Sequence, residues 1–99
     1  MFGKNNLKKE GNKMKKANIV IENEIGLHAR PATELAKLAM KYKCSINLIV
    51  NGKLIDAKSP LMIMSAGIKY KTELEIICDG ENEDKALEEV KSFLENNIG

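Results

Sequence analysis

The run Cys44-Ser45-Ile46-Asn47-Leu48-Ile49-Val50-Asn51-Gly52-Lys53-Leu54-Ile55-Asp56-Ala57 carries two strands and the turn between them. From Cys44 to Val50 the side chains alternate and are rich in β-branched types, which places Cys44, Ile46 and Leu48 on one face of a strand. Asn51-Gly52 is the strongest short hairpin signal, because a type I′ turn needs positive φ at both central residues. Lys53 to Ala57 is then the returning strand, so the sheet includes an antiparallel pair.

Downstream, Ser59-Pro60 marks a helix start, with serine as side-chain N-cap and proline at the first helical position. That helix is short, since Gly67 follows within two turns. Thr72 to Cys78 alternates again, Asp79-Gly80 turns the chain, and residues 82–97 read as a helix with Ala86, Leu87, Val90, Phe93 and Leu94 inward and an acidic outer face. Upstream, Ala17-Asn18-Ile19-Val20-Ile21-Glu22 is a strand with Ala17, Ile19 and Ile21 on one side. Residues 29–42 read as a helix with an apolar stripe, Ala32, Leu35, Ala36 and Ala39, and an outward stripe, Arg30, Thr33, Lys37 and Met40. The order β-α-β-β-α-β-α implies an α+β fold whose four strands bury one face and leave the other to solvent. Periodicity alone permits several split β-α-β arrangements, the ferredoxin type among them.

Ninety-nine residues, 43% of them hydrophobic with two Tyr, two Phe and no Trp, allow one domain with a modest aliphatic core and no separate catalytic domain. No apolar run is long enough to span a bilayer and the N-terminus lacks the apolar stretch of a secretory signal, so a soluble cytoplasmic protein is expected. Cys44 and Cys78 share the parity of Ile46, Leu48, Leu74 and Ile76 and read as reduced, buried hydrophobes. One histidine and no Cys-x-x-Cys give no zinc spacing, and neither a metal nor a cofactor is expected. Residues 1–16 hold six lysines and one glutamate, +5, and read as a flexible basic leader. The domain, residues 17–99, holds ten basic and thirteen acidic residues, −3, which disfavours nucleic-acid binding by the fold.

The single histidine lies in Gly26-Leu27-His28-Ala29-Arg30-Pro31-Ala32-Thr33, directly before the first helix. A helix start carries backbone N–H groups without intrahelical partners and the positive end of the macrodipole. Pro31 suits the first turn, and Arg30 adds a planar cation matched to phosphate or carboxylate oxygens. A nucleophile, a cation and backbone anion donors thus fall within three residues. Taken alone, a histidine in a small protein is more often a helix cap or a surface residue than a catalyst, and His28 by itself reads that way.

The whole octet, however, resembles the active-site signature of HPr, the histidine-containing phosphocarrier family of the bacterial sugar phosphotransferase system. Lys58-Ser59-Pro60-Leu61-Met62-Ile63-Met64-Ser65-Ala66-Gly67-Ile68 resembles the regulatory serine region of HPr from Gram-positive bacteria. The two motifs stand in family order, and the likeness spans residues 15 to 99. It implies an open-faced β-sandwich, a four-stranded antiparallel sheet covered on one side by three helices. It also implies that His28 carries the phosphoryl group on Nδ1, received from enzyme I and passed to sugar-specific enzyme IIA, with Arg30 assisting. On this likeness the chain is a carrier and not an independent enzyme. Met14-Lys15-Lys16 reads as an alternative translation start, because the resembled family begins close to its first strand.

One departure concerns Ile25, which stands where the family commonly has a small polar residue. The partner-docking surface is expected to comprise Ala29, Thr33, Lys37, Met40, Leu61, Met64 and Gly67, methionine supplying adaptable contact area for unrelated partners. For Met62 and Ile63 core and surface readings stay level. Ser59 caps its helix in any case. In low-GC Gram-positive relatives the equivalent serine is phosphorylated by an ATP-dependent HPr kinase/phosphorylase, and the product binds the catabolite control repressor. Two other functions compete: an HPr-like regulatory binding protein working mainly through Ser59, which retention of His28 and Arg30 argues against, and a small ligand-sensing or nucleic-acid module, which the acidic domain argues against.

Overall fold

A computed structural model describes residues 14–22, 26–27 and 29–96. The elements are β1 (Met14–Val20), α1 (Ala29–Met40), β2 (Ser45–Val50), β3 (Lys53–Asp56), α2 (Pro60–Ser65), β4 (Glu73–Asp79) and α3 (Glu83–Asn96). The strands form one four-stranded sheet in the order β1-β4-β2-β3, antiparallel at every pairing. β4 therefore separates β1 from β2, which selects one of the split arrangements that periodicity had left open.

Period-2 patterning explains which face is covered. Ile19, Ile46, Leu48, Val50, Ile55, Leu74, Ile76 and Cys78 point inward and are buried, and they share one core with Ala32, Leu35, Ala36 and Ala39 of α1, Ile63 of α2, and Ala86, Val90, Phe93 and Leu94 of α3. α3 packs on β1 and β4, while α1 packs on α2 and α3. The Asn51-Gly52 turn has φ of 52° and 79°, as a type I′ connection requires.

β1 begins earlier than the apolar alternation suggested. Met14, Lys15 and Lys16, read from sequence as the end of the leader, pair with Asp79, Cys78 and Ile77. Sheet pairing uses backbone groups, and Met14 and Lys16 lie exposed, so no apolar signal marks these positions. Lys15 reaches Asp84 at 3.4 Å. Residues 1–13 lie outside the described part, and with them the rest of the expected leader. Among the described residues no helix is long and apolar enough to cross a membrane.

Both cysteines are free and buried. Burial, with Cys44 and Glu83 adding to it, pushes the Cys78 thiol from its ordinary 9.0 up to about 12, and burial likewise pushes Cys44 up. Tyr42 rises from 10.0 to about 12 through burial and the Glu89 carboxylate. An unfolded thiol sheds its proton above pH 9 while the folded one keeps it, so the unfolded state gains and stability falls between about pH 9 and 12. The melting midpoint should stay level below this window and decline through it, and Cys78→Val should make the decline shallower. Parallel declines in both proteins would exclude Cys78 as a source.

Candidate functional site

The segment entering α1 is pinned by a distant turn. Gly26 has φ +77°, and a Cβ there would lie 2.7 Å from both the Ile68 carbonyl oxygen and the Lys69 Cα. Glycine permits this backbone-to-backbone approach. The N–H of the buried Leu27 donates to the Ile68 carbonyl at 3.0 Å. α1 opens at Ala29, with Pro31 and Ala32 buried in its first turn. His28 and Ile25 lie outside the described residues, so the structure fixes what flanks position 28.

Arg30 is 82% exposed, and its Nε stands 3.9 Å from Glu34 Oε2. A pair this long and this open is weak, leaving the guanidinium available to a stronger anion. The Thr33 hydroxyl donates to the Ala29 carbonyl at 2.9 Å, so it is engaged within the helix. Ala29, Arg30, Thr33, Glu34 and Lys37 line a shallow open depression. A larger hollow at the end of the sheet is lined by Glu22, Glu73, Glu75 and Glu95 with no described cation, which does not suit a phosphoryl group.

The second motif forms α2 as its residues require. Ser59 is extended, with φ −111° and ψ 107°, and its hydroxyl accepts from the Met62 N–H at 3.2 Å, while Pro60 occupies the first helical position. Gly67, at φ +67°, ends the helix in the left-handed conformation. Ile63 is fully buried, whereas Leu61 is 71% and Met62 40% exposed, so the level readings separate into one core residue and one surface residue. Met64 and Met40 are also exposed. Because α2 packs on α1, the structure brings Met40, Leu61 and Met64 to a shared pair of helices.

Sequence reasoning missed the turn that follows α2. The Lys69 N–H donates to Thr72 Oγ1 at 3.0 Å, and the Thr72 N–H donates back to the Lys69 carbonyl at 2.9 Å. Lys71 takes φ +70°. No glycine marks the turn. Glu83 was missed too, a buried carboxylate accepting from the Gly80 N–H at 2.9 Å, for which the Gly-x-x-Glu spacing is the available signal.

Comparison with known proteins agrees with this geometry. Residues 15–96 match the family described as PTS HPr component phosphorylation site. The chain belongs to the HPr family. The phosphocarrier protein HPr of Mycoplasma capricolum subsp. capricolum is 41% identical over 81 residues, 82% of this chain and 91% of that protein. The solved mycoplasma histidine-containing phosphocarrier protein superposes with a TM-score of 0.77 at 36% identity, covering 84% of this chain and 100% of that one. HPr from Bacillus anthracis gives 0.79 at 28% identity, covering 83% and 98%. HPr membership makes the chain a phosphocarrier of the phosphotransferase system, and the open-faced antiparallel sheet with its helices is the fold of these HPr structures.

Proposed function

We propose that His28 accepts a phosphoryl group from phospho-enzyme I and passes it to a sugar-specific enzyme IIA, the chain acting as a carrier without turnover of its own. The observation that supports this most is the pinned entry to α1 within a family-matched signature, where Leu27 is fixed to Ile68 and Arg30 stands exposed in the first turn. In the transfer the Nδ1 lone pair of a neutral imidazole forms the N–P bond. The bond from phosphorus to the donor atom breaks, and its electron pair leaves with the donor. The positive helix-terminal charge and the Arg30 guanidinium offset the negative charge of the transferring group. After transfer the same groups attract the new phosphoryl oxygens. Protein contributions to such a transfer are positioning and charge compensation. The test is labelling with phosphoenolpyruvate and enzyme I. Parent protein should take one acid-labile phosphoryl group and His28→Ala none, at an unchanged melting midpoint; label persisting in His28→Ala excludes this role.

Regulation through Ser59 forms the second part of the proposal, by a kinase of the HPr kinase/phosphorylase type and with a catabolite control repressor as the partner of the product. The cap geometry supports it, since the Met62 N–H that donates to the Ser59 hydroxyl oxygen also suits a phosphate oxygen. α2 packs on α1, so added negative charge would meet an incoming phospho-enzyme I on the same surface. Ser59→Asp should accept phosphate from enzyme I at least about three-fold more slowly, the scale of an exposed charge interaction, with stability unchanged or slightly raised. Labelling at the parent rate would exclude a shared surface.

A further inference from the structure

We infer that Lys58 is a positioning residue for the transfer, its ammonium holding the end of α1 against the start of α2 and so fixing the surface on which enzyme I docks; the inference rests on the carrier reading above. The observation behind it is a side-chain bond, Lys58 Nζ donating to the Tyr42 carbonyl at 2.9 Å from a partly buried position. Tyr42 stands two residues past Met40, the last residue of α1, and its N–H donates back to the Ala39 carbonyl at 3.1 Å. Lys58 directly precedes Ser59, the N-cap of α2. One side chain therefore spans the carboxyl end of one helix and the amino end of the other. Carbonyls at a helix C-terminus lack intrahelical donors and carry the negative end of the dipole, which suits an ammonium.

Both ends of this brace are anchored. The Lys58 N–H donates to Asp56 Oδ1 at 2.9 Å, the Ser59 N–H to the Asp56 carbonyl at 3.0 Å, and the N–H of the buried Ala57 to the Ile46 carbonyl at 2.9 Å. At the other end the Tyr42 hydroxyl is bonded to Glu89 of α3. α2 needs such a hold, because Ile63 is the one buried residue among its six and packing a single side chain constrains a helix little. Its exposed Leu61 and Met64 share the docking surface with Met40 of α1. A partner that touches both helices depends on their relative placement, which the Lys58 bond restrains.

Lys58→Met keeps the apolar stem and removes the donor. It should be compared with parent, Lys58→Arg and Lys43→Met for phosphorylation rate across a range of carrier concentrations at fixed enzyme I and phosphoenolpyruvate, with melting midpoints measured alongside. Positioning requires the concentration for half-saturation to rise about three- to ten-fold in Lys58→Met, the scale of one lost hydrogen bond, at the parent's maximal rate and with recovery in Lys58→Arg. Lys43 is exposed beside Tyr42, so Lys43→Met removes the same charge without the bond and should behave as parent. An equal rise in Lys43→Met would overturn the inference, since attraction between the proteins would then account for the effect. Parent half-saturation in Lys58→Met, with or without a lowered midpoint, would overturn it as well, leaving Lys58 a contact of the fold alone. A labelled parent keeps either failure separate from the carrier reading, whereas an unlabelled parent overturns both.

Discussion

Gly26→Ala should destabilise the domain by about 3 kcal/mol, combining positive-φ strain with a backbone clash. The added Cβ would lie 2.7 Å from the Ile68 carbonyl oxygen and the Lys69 Cα, and neither neighbour is the end of a flexible side chain. To relieve the overlap the 26–27 segment must lift from the 68–69 turn, which breaks the Leu27 to Ile68 hydrogen bond. Phosphorylation should slow together with the loss of stability, because the same segment leads into α1. Gly52→Ala provides the control: its φ is +79°, yet nothing lies within 4 Å of the added carbon. That variant should lose only about 1 kcal/mol, the backbone term, and keep its phosphorylation rate. Urea midpoints of the two variants separate the contributions, and equal losses would show that the close approach at Gly26 carries no energy.

Ile76→Ala should lower stability by about 2–5 kcal/mol, the range for removing a large aliphatic side chain from a packed core. Ile76 is fully buried on the central strand β4, opposite the equally buried Leu48 of β2, so a cavity there opens beneath the helices. For a domain of this size each 1 kcal/mol corresponds to roughly 4–8 °C in the melting midpoint, so the fall is large against a total of about 5–15 kcal/mol. Its neighbour Ile77 points to the open face and is half-buried. Ile77→Ala should cost about 1 kcal/mol or less. Comparable losses at both positions would contradict a sheet covered on one face only.

Much of this fold could be read from local chemistry. The hairpin was visible because period-2 alternation meets Asn51-Gly52, and both turn residues do adopt positive φ. Ser59-Pro60 announced α2 because capping is a property of adjacent residues. The beginning of β1 escaped because Met14 to Lys16 pair through backbone on an exposed edge strand. The strand order β1-β4-β2-β3 escaped as well, since β4 inserts between elements far from it in sequence. At the site, the motif around His28 and the cation Arg30 were visible as a pattern. The Lys69–Thr72 turn was not, because it is closed by the Thr72 hydroxyl and places a lysine, not a glycine, at positive φ. Only the folded chain shows Gly26 against Ile68 and Lys69.

Carrier function is most directly tested by a chase. Phosphorylated protein, made with enzyme I and phosphoenolpyruvate and then freed of both, is mapped to locate its label and mixed with enzyme IIA. The label should map to His28, move to enzyme IIA, and leave the chain unphosphorylated and able to accept again. Label on another residue, or label released to water without reaching enzyme IIA, would contradict the assignment of His28 as a phosphoryl carrier.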